Sequence, residues 1–241
     1  MELTPFDIFN VILQLIFSVI SIIVGLILIS KYPKSKNKTF IYVGIVWIGI
    51  SLPWFGSVIN ALIFLLAGAT LDPRLRLFII VGLLPITVFI WFIAFTDLAY
   101  KDKQKIILII IALFGTIFEI VFFYFLFTDL SKIAELHSPI HVEYTLFTQI
   151  YLFVVLVISL VTGIIFGLRT MQSEEPEYKL RGKLLIIAFI SFVAASISDS
   201  IYTPDYLILL ITRIVLISSA IEFYCAFALP KWMKKLCLKT K

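Results

Sequence analysis

The reading turns on YLILLITRIVLISSAIEFYCAFAL, Tyr206 to Leu229. A helix of about twenty apolar residues crosses the roughly 30 Å hydrocarbon core of a bilayer, and this run is long enough to do so. Two charges interrupt it, Arg213 and Glu222. A charge at such a depth costs about 3 kcal/mol on insertion scales and more in simulations, so it normally faces a bundle interior and takes a partner. What surrounds Arg213 therefore matters more than any other feature of the chain.

Composition fixes the class. Of the 241 residues, 61% are hydrophobic and only 15% charged, with a mean hydropathy of +1.10. A soluble domain is about 45–50% apolar and 25% charged. Twenty-three phenylalanines, with long runs of Ile and Leu, exceed what one water-soluble core buries. The expectation is an all-α polytopic protein of the cell membrane, one seven-transmembrane-helix bundle that leaves no room for a soluble catalytic or signalling domain. The net charge of +5 does not point to nucleic acid, because the basic residues sit at the ends of the apolar runs, where a bilayer surface is their partner. Cys225 and Cys237 lie too late in the chain to staple a disulfide framework, and Cys237 reads as a free thiol. The acidic start MELTPFD has no basic n-region, so the first run reads as a retained span rather than a signal peptide.

The spans fall at about 7–30, 39–69, 75–100, 106–128, 142–168, 183–201 and 206–229, followed by a short basic tail, 230–241. Pro53 and Pro85 predict kinks in the second and third spans. LSKIAEL, 130–136, predicts a helical turn inside the longest connection on its side. All Lys and Arg except Arg74, Arg76, Lys132 and Arg213 lie in the other three loops and the tail. The positive-inside rule then places the N-terminus outside and the C-terminus in the cytoplasm. The sequon Asn37-Lys38-Thr39 falls on the cytoplasmic side and reads as chance.

Counted at 1.5 Å per residue from the outer ends, Gln14, Gln149 and Arg213 lie roughly 10 Å deep and Glu119 roughly 14 Å. Asp199 and Asn60 share that outer half. Arg213 reads as the only buried cation, and Asp199 is its favoured partner because span six leads directly into span seven. Two arrangements remain open. Arg213, Asp199, Glu119, Gln149 and Gln14 line an outward-facing pocket, where Arg213 recognises the carboxylate or phosphate of a small anionic ligand; or Arg213 and Asp199 form a closed clamp that fixes helix register.

A second group, Glu222, Asp97 and Arg169, lies toward the cytoplasmic side as a candidate latch. Arg213 and Glu222 are nine residues apart, about 180° around a helix, and so point to opposite faces. His137 and His141 flank a proline that breaks the alignment a shared metal needs, so no metal is expected. Trp232 stands where an interfacial anchor belongs.

Comparison with known motifs narrows the function. Retinal attachment needs a lysine inside span seven; Lys31 and Lys183 only mark helix ends, so retinal is not expected and no other cofactor is implied. Thr96-Asp97-Leu98-Ala99-Tyr100 stands where receptors of the eukaryotic kind carry Asp-Arg-Tyr, and no NPxxY follows. The Pro-Gln pair of seven-span sugar transporters is missing, as are GxSxG, HExxH and a phosphate-cradling glycine loop, so an enzyme is not expected.

RIVLISSAIEFYCAFALPKW, Arg213 to Trp232, resembles the last span of prokaryotic seven-span sensor modules, including those preceding some histidine kinases and related stand-alone archaeal membrane proteins. The resemblance extends back through RGKLLIIAFISFVAASISDS and implies a sensor. Here the chain stops eleven residues after Pro230, so the expectation is a receptor-like or sensor-like module that signals to a separate cytoplasmic partner. A transporter or channel subunit is the alternative, and a structural assembly protein the next.

Overall fold

The computed structural model describes residues 3–138, 141–201 and 205–238. Seven helices among them are long and apolar enough to cross a membrane. They are α1 (Pro5–Ile29), α2 (Thr39–Ala67), α3 (Pro73–Ala99), α4 (Gln104–Thr128), α5 (Leu146–Met171), α6 (Pro176–Ser200) and α7 (Tyr206–Ala228). A short helix, α8 (Lys231–Cys237), closes the chain, and Pro139, Ile140, 202–204 and 239–241 lie outside the described residues.

The sequence explains where the helices begin. Thr4 and Asp7 form a reciprocal cap on α1, and the Asp205 carboxylate accepts from Leu207 N and Ile208 N at the start of α7. Pro176 opens α6 two turns earlier than the apolar run suggests, because proline's fixed φ and missing N–H suit a first helical turn. Pro53 stays inside α2 without ending it. The kink expected at Pro85 is moved upstream: a π-turn, Phe78–Gly82, breaks α3, and Pro85 sits in the first turn of the helix that resumes at Leu84.

One expectation is overturned in the connection before α5. Only Leu130–Lys132 makes a helical turn; Ala134–Leu136 (β1) instead pairs antiparallel with Val142–Tyr144 (β2). Residues 142–144 are therefore strand rather than the start of span five. The cause is local: Ile133 is fully buried, and its carbonyl accepts from Thr145 N and from the hydroxyls of Thr145 and Thr148, which ties the hairpin to the first turn of α5.

α1 packs between α2 and α7, α6 between α5 and α7, and α3 contacts α2, α4 and α5. Within the apolar window of α3, 61% of residues are buried against 11% for α4, so α3 is central and α4 peripheral. Two pairs of glycines permit the closest approaches: a Cβ on Gly44 would meet the Gly25 carbonyl at 2.6 Å, and one on Gly182 the Gly167 carbonyl at 2.5 Å. Small residues of this kind let helices meet backbone to backbone in a bundle without water. The centre is aromatic, with Trp47 stacked on Phe223 at 3.9 Å and Trp91 5.1 Å from Phe189.

Candidate functional site

At the end of the bundle that carries the hairpin, four helices converge on Arg213. Its side chain is 1% exposed, and Nη2 lies 2.7 Å from Oδ1 of Asp199 in the last turn of α6. The same nitrogen donates to Asn10 Oδ1 at 2.9 Å. The other oxygen of Asp199 accepts the indole N–H of Trp54 at 2.7 Å, and Gln14 Nε2 donates to Asn10 at 3.1 Å. Beside the ion pair, Ser198 and Thr212 join their hydroxyls at 2.9 Å. The cluster thus ties α1, α2, α6 and α7 together through Gln14, Asn10, Trp54, Asp199 and Arg213.

Asn10 and Trp54 were not legible as members of this site. Asn10 lies one helical turn before Gln14, and that (i, i+4) amide pair was the available signal. Trp54 reads from sequence as packing, whereas its indole N–H satisfies Asp199.

The cluster is only partly satisfied. Arg213 Nε and Nη1 and Gln14 Oε1 are buried without a hydrogen-bond partner, and so are the hydroxyls of Ser18 and Ser21 further along the same helix. A buried donor left unmade costs about 1–3 kcal/mol, more when charged. The arrangement is therefore a clamp with spare donors: the Arg213–Asp199 pair is closed, and part of the guanidinium is unused.

Glu119 and Gln149 are not brought to Arg213. Gln149 is exposed, and its amide donates to the Tyr144 carbonyl at 2.7 Å, fastening the hairpin to α5. Glu119 is half-buried on α4, which packs against α3 and the turns at its two ends. Its Oε2 has no partner, and Tyr151 on α5 lies within its electrostatic reach. Matching depth did not mean matching face. Asn60 also serves locally, accepting from Leu71 N at 2.7 Å.

The candidate latch is not assembled as one unit. Asp97 pairs with Lys101, while Arg169 donates to the Ala99 carbonyl and lays its guanidinium 4.1 Å over the Tyr100 ring. Glu222 accepts from Ser218 at 2.6 Å within α7, and its second oxygen has no partner. The end of α7 is held differently: Arg181 donates to the Phe227 carbonyl at 2.6 Å and Lys31 to Ala228 at 3.4 Å, two cations at a helix C-terminus.

A second cation is as deeply buried as Arg213, which corrects the expectation that Arg213 stands alone. Arg76, 3% exposed on the first turn of α3, donates through Nη1 to the Ser138 carbonyl at 3.0 Å. Its Nε and Nη2 have no partner. Tyr144 at the end of β2 lies within electrostatic reach of both Arg76 and Asp199, and burial pushes its phenol up to about 12. His141 is held below its usual value by burial first and by His137 second, with Arg76 adding to the effect and Glu143 and Asp7 opposing it. On the hairpin's outer face His137 Nε2 bridges the cross-strand carboxylates, 3.0 Å from Glu143 and 3.6 Å from Glu135. No cluster of three or more His, Cys, Asp and Glu residues with metal-holding geometry occurs among the described residues.

Compared with known proteins, the chain matches no family model and no curated sequence.

Proposed function

We propose that the protein is a receptor-like or sensor-like module of the cell membrane, with its N-terminus and hairpin outside and its C-terminus in the cytoplasm. The polar cluster around Arg213 is its ligand-responsive site, and a separate cytoplasmic partner reads its state. The observation that carries this reading is the buried Arg213, closed onto Asp199 yet retaining two nitrogens without partners. A purely structural clamp gains nothing from spare charged donors, which cost free energy until something occupies them. The basic residues of the 31–38, 101–105 and 169–183 loops support the orientation. Resemblance of the last span to prokaryotic seven-span sensors supports the signalling role.

Cysteine accessibility tests the reading. Asn10→Cys, in intact cells, should react with a membrane-impermeant maleimide added outside, and Asp199→Asn should speed the reaction by opening the clamp. An Asn10→Cys that resists the reagent in both backgrounds rules out an outward-opening site.

A second reading, a conduit for a small solute or ion, draws on the unpartnered Ser18 and Ser21 hydroxyls below Gln14 and on the free oxygen of Glu222. It requires flux in reconstituted vesicles that Ser18→Val or Ser21→Val blocks.

A further inference from the structure

The Arg213 cluster leaves a second buried charge unexplained. Arg76 commits only Nη1, and the two nitrogens it leaves without partners, Nε and Nη2, form one edge of the guanidinium. That edge presents two parallel N–H bonds and is the face with which arginine grips both oxygens of a carboxylate or phosphate. Lysine supplies the charge without the fork.

No carboxylate pairs with Arg76 among the described residues. Asp199, which acts on nearby Tyr144, is held by Arg213 at 2.7 Å, and Glu143 by His137 at 3.0 Å. Tyr144 lies in reach of Arg76, and with its phenol pushed up to about 12 it is a neutral hydroxyl donor at ordinary pH. The hairpin covers the position, because Ser138, which accepts from Arg76, lies between its strands. A guanidinium removed from water without an anion is strongly disfavoured, and one oxyanion would meet both the charge and the open edge.

We propose that the Nε/Nη2 edge of Arg76 binds one small oxyanion, a carboxylate or a phosphate, beneath the hairpin, with the Tyr144 hydroxyl as a further donor. This goes beyond the receptor reading: it adds to the Arg213 cluster on α7 a second anion-binding position, anchored on α3. The anion is either a free solute or the headgroup of an anionic lipid.

The test uses the full chain, purified in detergent and stripped of lipid, with inorganic phosphate and acetate as probes against chloride at matched ionic strength. Phosphate or acetate should raise Tm saturably, and equilibrium dialysis should find about one anion per chain. Arg76→Lys, which keeps the charge, should weaken binding at least about tenfold, and Tyr144→Phe by several-fold. Nanodiscs of neutral phosphatidylcholine, with or without phosphatidylglycerol, separate the sources. Arg76-dependent displacement of phosphate by phosphatidylglycerol supports a lipid headgroup, and indifference to it supports a free solute.

Absence of any anion effect on the wild type, or an effect unchanged in Arg76→Lys, overturns the proposal. Should Arg76→Lys fail to fold, phenylglyoxal modification of Arg76 mapped by mass spectrometry decides: protection by phosphate supports the site, and unprotected modification overturns it. Maleimide labelling of Asn10→Cys tests the receptor reading by itself, so labelling without Arg76-dependent anion binding sinks this inference alone.

Discussion

Asp199 is shared: one carboxylate oxygen holds Arg213 of α7 and the other accepts the indole N–H of Trp54 of α2. A single side chain at the end of α6 therefore couples two helices that flank α1.

Removing one partner of this pair should be worse than removing both. Asp199→Ala leaves a buried guanidinium uncompensated and should cost about 3–5 kcal/mol, whereas Arg213→Leu with Asp199→Leu should recover much of the loss. Thermal unfolding of the purified protein measures the cycle. Equal Tm values for Asp199→Ala and the double variant would show that the uncompensated guanidinium is not what destabilises the single variant. In Asp199→Ala the emission of Trp54 should shift as its indole loses its acceptor.

The approach of α1 to α2 depends on two glycines. Gly44→Val places side-chain carbon against the Gly25 carbonyl, where even a Cβ would meet oxygen at 2.6 Å. Overpacking of this kind costs about 1–3 kcal/mol. Gly68→Ala should show a different effect, because no atom stands within 4 Å of an added Cβ there, and strain from φ +64° is the only penalty. A Tm for Gly44→Val equal to wild type would contradict the close contact.

The hairpin should loosen in acid. Burial and neighbouring His137 hold His141 below the usual histidine value of 6.5, so the unfolded hairpin takes up its proton before the folded one. The stability contributed is complete above about pH 6.5 and is lost as pH falls toward the lower, folded-state value. The protection factor of the Thr145 amide, which donates to the Ile133 carbonyl across the hairpin, should fall between pH 7 and pH 5, and His141→Gln should flatten that response. Equal pH profiles in the two proteins would refute the assignment.

Glu119 should prove dispensable to the Arg213 cluster. It sits on peripheral α4 with one oxygen unpartnered. Glu119→Gln should change the unfolding free energy by no more than about 0.5 kcal/mol, as for a residue outside any network, and leave phosphate binding at Arg76 unchanged. A large loss of either would place Glu119 in the site after all.

Much of the architecture was legible because its cause is one-dimensional. Bilayer-length apolar runs, prolines and capping residues mark helices by their order along the chain, and seven such helices are present. The pairing of Arg213 with Asp199 was legible for a related reason: consecutive helices joined by a short turn must meet. Rotation about each helix axis was not. Counting 1.5 Å per residue gives depth and says nothing of face, so Gln149 and Glu119 matched Arg213 in height while pointing to other neighbours. Arg76 was hidden by position: beside a turn it reads as an exposed loop charge, whereas it is buried and donates to the Ser138 carbonyl between the two strands. That hairpin was itself missed, since each of its strands is only three residues long.

The bonds between the hairpin and the start of α5 make a mechanical gear. Thr145, Thr148 and Gln149 bolt the strands to the helix, so whatever lifts the hairpin also tilts α5. A helix of 26 residues is a rod about 39 Å long, and tilting it by about 5° swings its far end by about 3 Å. At that far end Arg169 grips the Ala99 carbonyl and the Tyr100 ring. A displacement of that size would pull the grip apart, so an event at the hairpin could be felt where the chain meets the opposite side of the bundle.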